Sequence, residues 1–257
     1  VLGPDAESVA LAWRFPGLAS KDFEVLQVVS QVLYNGKAGL IDLDLNQQQK
    51  VLNSYGYQMG LADYSAFILG GLPKQGQMLE EVKDLLLNEI KKLRAGEFDE
   101  KMLQANINNF KLYELQSMES NEGRADIFVN SFINGTNWED EVTAIDRMAK
   151  LTKEDIVAFA DKYLKEDNYA VVYKKQGKDP NEKKMTKPEI TPIVSNRDVA
   201  SPFLTSIQEN AVKPIEPVFL DFKKDMSQLT AKSDIPVLYK QNTTNDLFQL
   251  IYVFDMG

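Results

Sequence analysis

A chain of 257 residues with 44% hydrophobic and 10% aromatic content carries enough apolar material for a packed core in one or two domains. It has no histidine and no cysteine, which excludes imidazole and thiolate zinc ligands, Ser-His-Asp and Cys-His nucleophile systems and any disulfide scaffold. The net charge of −9 lacks the cationic footprint that nucleic acid or an anionic membrane surface requires, and no stretch is long and apolar enough to span a bilayer.

In chain order, Val9, Leu11, Trp13 and Phe15 alternate with small or polar residues and predict a strand with one apolar face, ended by Pro16-Gly17. Ser20 caps the next helix, Asp22 and Glu24 complement its first turn, and Val25, Leu26, Val29, Val32 and Leu33 form its apolar stripe up to Gly36. A second helix is expected over 39–53. Two strands, 55–62 and 64–72, follow with a tight turn near Asp63, and Gly70-Gly71 marks a close backbone approach or a bulge. Met78, Leu79, Val82, Leu85, Leu86, Ile90 and Leu93 recur at helical spacing before Gly96. Helical patterns continue over 99–118, 122–132, 138–148 and 152–164. The last of these opens on the cap-like Thr152-Lys153-Glu154-Asp155, and residues 168–174 read as a closing strand.

The order strand, two helices, strand pair, run of helices, strand predicts an α+β fold, a mainly antiparallel sheet with helices packed on one face. In this order the segment resembles the non-catalytic, C-terminal-type domain of the insulinase/pitrilysin family of zinc metallopeptidases, which includes the mitochondrial processing peptidase. The phrases that carry the resemblance are Val9-Ala10-Leu11-Ala12-Trp13-Arg14-Phe15-Pro16-Gly17, Leu33-Tyr34-Asn35-Gly36-Lys37-Ala38-Gly39-Leu40, the hairpin ending in Gly70-Gly71, and Thr152-Lys153-Glu154-Asp155-Ile156 ahead of the closing strand. They cover about two thirds of the chain.

The resemblance implies a clamshell of two halves, with zinc held by a His-x-x-Glu-His helix and a distal glutamate in the catalytic sister domain. This segment then contributes no catalytic residue and no metal ligand. Residues 1–175 read as the non-catalytic domain of the first half. Residues 176–233, punctuated by Pro180, Pro188, Pro192, Pro202, Pro214 and Pro217, read as an inter-half linker, and 234–257 as the first strands of a following, truncated domain. Val237-Leu238-Tyr239-Lys240 and the run from Leu247 to Phe254 look like the opening hairpin of that domain, with Asn242 to Asp246 as its turn. The chain starts without methionine and stops directly after a strand-like run, so it reads as a piece of a longer protein. The implied role is chamber wall and scaffold in a zinc-dependent endopeptidase that hydrolyses unstructured peptides. Its partners are then the catalytic sister domain, the second half of the same polypeptide and the peptide substrate. The alternative is a zinc-less relative acting as a binding or assembly scaffold, and a His-x-x-Glu-His helix upstream distinguishes the two. The compartment, bacterial periplasm or cytoplasm, is left open.

In the family an Arg and a Tyr seven positions apart help to hold substrate. The comparable passage here carries Lys50 and Tyr57, candidate substrate-binding residues, although lysine lacks the two-pronged bonding of arginine and the domain belongs to the other half. Asp42 and Asp44 face different sides of their helix and do not form an acid/base pair. Lys183-Lys184 and Lys223-Lys224 read as solvated charge runs.

Overall fold

Val9, Leu11, Trp13 and Phe15 occupy alternate positions of one strand and are all buried, as the two-residue period requires. The structure, a computed structural model, describes residues 1–178, 180, 186–193, 195–232 and 234–256. It falls into two units, Val1–Glu182 and Lys183–Gly257. The first unit runs β1 (Leu2–Gly3), β2 (Ser8–Pro16), α1 (Lys21–Leu33), a short π-helical segment (Asp42–Asn46), β3 (Asn53–Met59), β4 (Tyr64–Leu72), α2 (Leu79–Arg94), α3 (Lys101–Ser117), α4 (Asn121–Asn134), α5 (Trp138–Met148), α6 (Lys153–Tyr163) and β5 (Ala170–Gln176).

The five strands form one sheet in the order β1-β5-β2-β4-β3, antiparallel throughout except where β1 lies parallel to β5. Register carries the buried face across the strands, with Leu11 opposite Leu69 and Trp13 opposite Phe67. Helices α1, α2 and α6 pack against this face, and fully burying each Leu or Phe of it contributes about 1.5–3 kcal/mol. Phe15 stacks on Phe159 of α6 with ring centroids 5.7 Å apart, and the Trp13 indole N–H donates to the Lys165 carbonyl at 3.3 Å. Gly71 faces α2, where a Cβ would overlap Val82, so its bare backbone sets how closely the helix approaches. The first unit is the α+β fold expected, with helices on one face of a mainly antiparallel sheet.

Helix ends follow local chemistry. The Ser20 hydroxyl accepts from the Asp22 N–H at 3.2 Å, and Thr152 and Asp155 bond reciprocally in a capping box ahead of α6. Gly96, past the end of α2, has φ +70°.

Two expectations change. The helix read over 39–53 is much shorter: its bonds Gln47 N–H to Asp42 carbonyl and Lys50 N–H to Leu45 carbonyl, both 2.9 Å, are i to i−5, and Gln49 at φ 52° ends it. Asn46 then bonds the Ser54 N–H, hydroxyl and carbonyl and turns the chain into β3. In the second unit, downstream of α7 (Pro202–Gln208), the strand at 237–240 does form, as β7 (Pro236–Tyr239). Its partner is β6 (Ser227–Thr230), not the run from Leu247 to Phe254, which is not strand and is largely exposed. Asn242 and Asn245 explain this: Asn242 donates to the Leu247 carbonyl at 2.9 Å and Asn245 accepts from the Leu247 N–H at 3.0 Å, so side chains take the groups that would start a ladder. Lys223 and Lys224 are exposed as expected, and Lys183-Lys184 lies outside the described residues.

Candidate functional site

The alternation that buries one side of the sheet leaves the other without helices. Its residues are Ala10, Ala12 and Arg14 of β2, Tyr55, Tyr57 and Met59 of β3, and Tyr64, Ala66, Ile68 and Gly70 of β4, as the register dictates. Tyr57 and Met59 are each 45% exposed and Tyr64 56%. Tyr55 and Tyr57 stack with centroids 6.2 Å apart and planes 22° from parallel, and Arg14 lies 4.8 Å over the Tyr64 ring. Gly70 makes the Tyr55 position possible, since a Cβ there would overlap the ring. The centre of this face is low, built from alanine and glycine, and its β3 side is tyrosine-rich. β3 is also an edge strand; the Asn46 side chain takes the N–H and carbonyl of Ser54 on its outer row, and beyond Ser54 that row has no strand partner among the described residues. Such a surface can hold an extended chain by apolar contact and backbone hydrogen bonds.

Of the two substrate-binding candidates, Tyr57 stands on this face, opposite Ile68. Lys50 is exposed in the turn before β3, where its carbonyl accepts from Gln77 at 3.0 Å. Four strand positions, about 13 Å, separate Tyr57 from the start of β3. Lys50 therefore sits at the loop end of the sheet, beside a groove of about 540 Å3 that Leu52, Lys74, Gln77 and Lys175 help to line.

Asp42 and Asp44 diverge as read from the sequence. Asp42 is buried, and its Oδ2 accepts from the N–H groups of Asn35, Gly36 and Gly39 at 2.9, 3.1 and 3.0 Å, which pins the loop after α1. Asp44 instead accepts from Lys92 of α2 at 2.5 Å, and Lys92 also donates to Glu89 at 2.9 Å. Glu89 is 1% exposed. Burial raises its pKa above the usual glutamate value, against the opposing pull of Lys92 and with a further push from Asp44. Burial also acts to raise the pKa of Asp44, but hydrogen bonds and charge from Lys92, with help from Glu89 and Lys50, bring it below the usual value. This cluster was missed in the sequence, although Glu89 sits on the apolar stripe of α2, three residues after Leu86 and one before Ile90.

The sequence offers only carboxylates as strong zinc ligands, and among the described residues no three of them converge at a point that could hold a metal ion. No helix among the described residues is long and apolar enough to cross a membrane.

Comparison with known proteins agrees with this geometry. Residues 2–110 match the family model described as the peptidase M16 inactive domain. The zinc protease PqqE of Helicobacter pylori is 27% identical over 179 residues, which cover 67% of this chain and 39% of that protein. This chain thus spans about two fifths of its curated relative. A protease structure from Helicobacter pylori superposes with a TM-score of 0.63 at 21% identity, covering 68% of this chain and 43% of the other. The inactive domain of a peptidase from Bordetella parapertussis superposes at 0.59 with 17% identity, covering 66% of this chain and 93% of the other. The sequence phrases, the sheet with helices on one face and the match over residues 2–110 together make the first unit of this chain similar to the inactive domain of the M16, insulinase/pitrilysin-like peptidases.

Proposed function

We propose that this chain is a wall and scaffold segment of a zinc-dependent metalloendopeptidase that hydrolyses unstructured peptides. The observation that carries this reading is the helix-free, tyrosine-rich outer face of the sheet beside the β3 edge, a surface suited to an extended peptide in a chain without histidine or cysteine. The name of the Helicobacter pylori relative supports the class of reaction. In this reading zinc resides in a catalytic sister domain of the same polypeptide, a second half closes the chamber, and Tyr57 and Lys50 contact the substrate. The closing of an enclosed chamber restricts substrates to flexible peptides.

The test is zinc content and cleavage of a quenched fluorescent peptide mixture, for this chain and for a longer polypeptide that contains it. The expected result is an inert chain and a longer protein that binds zinc and cleaves, with Tyr57→Ser raising KM severalfold at unchanged kcat. If both are inert the protein is a binding or assembly scaffold. Activity in this chain alone overturns both readings.

A further inference from the structure

Helix α4 is mounted with its apolar side outward. Ala125, Phe128, Val129, Phe132 and Ile133 follow the i, i+3, i+4, i+7, i+8 pattern that normally faces a core, yet all five are exposed, Phe132 to 89%. The residue of α4 that is buried is Ser131, on the other side, where its hydroxyl donates to the Thr136 carbonyl at 3.1 Å. Trp138 at the start of α5 extends the stripe, stacked on Phe128 with centroids 4.5 Å apart. A stripe of this kind with aromatic anchors marks a docking surface.

The charge around it says what docks there. Between residues 114 and 146 the sequence has eight acidic side chains and one basic one, Arg124; of these acids Asp140 is paired with Lys21 at 2.5 Å and lies 3.6 Å from Arg147. Glu122 and Asp126 flank Val129 and Ile133 on the helical wheel, and Glu139 and Glu141 follow Trp138 in the first turn of α5. Arg124 is turned to the Met118 carbonyl and the Asn121 side chain, at 2.8 and 2.5 Å. Burial, then the negative charges of Asp146 and Glu141, raise the pKa of Glu114. A second copy of this chain would bring one acidic rim against another, and an anionic lipid surface is repelled in the same way.

We infer that the α4 stripe and its acidic rim form a docking site for a cationic amphipathic segment of a partner protein, an apolar face flanked by lysine or arginine. The site lies on α4 and α5, elements other than the strands that form the outer face of the sheet.

The test uses this chain and a fluorescein-labelled 18-residue helix-forming peptide of leucine and lysine, with leucines at the i, i+3, i+4, i+7 positions, read by fluorescence anisotropy. The expected result is saturable binding that weakens about tenfold in the Phe132→Gln/Ile133→Gln variant and about threefold in Glu122→Gln/Asp126→Asn, and that also weakens with added salt. All four positions are exposed, and circular dichroism confirms that the variants keep the fold. Absence of saturable binding, equal affinity for the matching leucine–glutamate peptide, or affinity unchanged in the Phe132→Gln/Ile133→Gln variant overturns the inference. So does sedimentation of the free protein as a dimer that Phe132→Gln dissolves, which assigns the stripe to a second copy.

Discussion

Arg147 of α5 grips Glu24 of α1 with two parallel hydrogen bonds, 2.9 Å from Nε to Oε2 and 2.6 Å from a terminal nitrogen to Oε1. The same guanidinium reaches the Asp140 carbonyl at 2.5 Å, and the bond to Glu24 is the main reason its pKa is raised. Arg147→Lys keeps the charge but loses the fork, so it is expected to lower the stability of the first unit by about 1 kcal/mol. Urea titration followed by tryptophan fluorescence measures this. A double-mutant cycle with Glu24→Gln should show that most of the loss belongs to the pair.

The buried cluster at Glu89 gives stability a dependence on pH. An acid whose pKa is raised by folding binds its proton more tightly in the folded state, so folding weakens as pH climbs from about 4.5, the usual glutamate value, through the elevated one. Glu89→Gln removes that decline, so the difference between variant and parent should move in favour of the variant as pH rises through this window. Thermal melts across the acid to neutral range give the slope, and a parallel pH dependence in the two proteins would show that Glu89 does not titrate abnormally.

Asp44 has the opposite sign. Its pKa is lowered in the fold, so its contribution is present above about 3.8 and is lost as pH falls through the folded value. Asp44→Asn should therefore destabilise at neutral pH, by about 1–2 kcal/mol, and cost little in strong acid. Denaturant midpoints at the two extremes check it.

Gly71→Ala places a methyl group against Val82 and should cost about 1–3 kcal/mol, since α2 has to move off the sheet. Adding Val82→Ala removes the obstructing methyls and should recover part of the loss. If the second change only adds to the first, close helix approach is not what Gly71 provides.

Thr152→Ala removes one arm of the α6 capping box and is expected to cost about 1 kcal/mol. Hydrogen bonds from the Thr152 backbone and hydroxyl hold the Asp155 pKa below the usual value, so the stabilisation they bring is present above about 3.8 and fades as pH falls. The cost of the substitution should shrink accordingly in acid, as measured by chemical denaturation.

The elements that sequence periodicity defines strongly are those whose apolar residues face a single neighbour. The alternation of Val9, Leu11, Trp13 and Phe15 and the stripe on α2 left one placement each, and α5 spans the residues expected of it. Where side chains compete for backbone groups, pattern reading went astray: Asn46 shortened a helix and Asn242 with Asn245 redirected a hairpin. β1 has only two residues and no period to read. At the site, Tyr57 was legible because a resemblance supplied its spacing. The Glu89 cluster depends on a pairing between residues 44 and 92 that only the folded chain reveals.

Placing β2 between β4 and β5 sets an order of events during synthesis. Its first neighbour follows within some fifty residues, but the second, Ala170–Gln176, arrives at the far end of the domain. At roughly 5–20 residues per second the ribosome leaves that edge of β2 uncovered for about eight to thirty seconds. Throughout that interval the strand that brings Val9, Leu11, Trp13 and Phe15 to the core is available to other nascent chains, and the last strand of the first unit to emerge is the one that shields it.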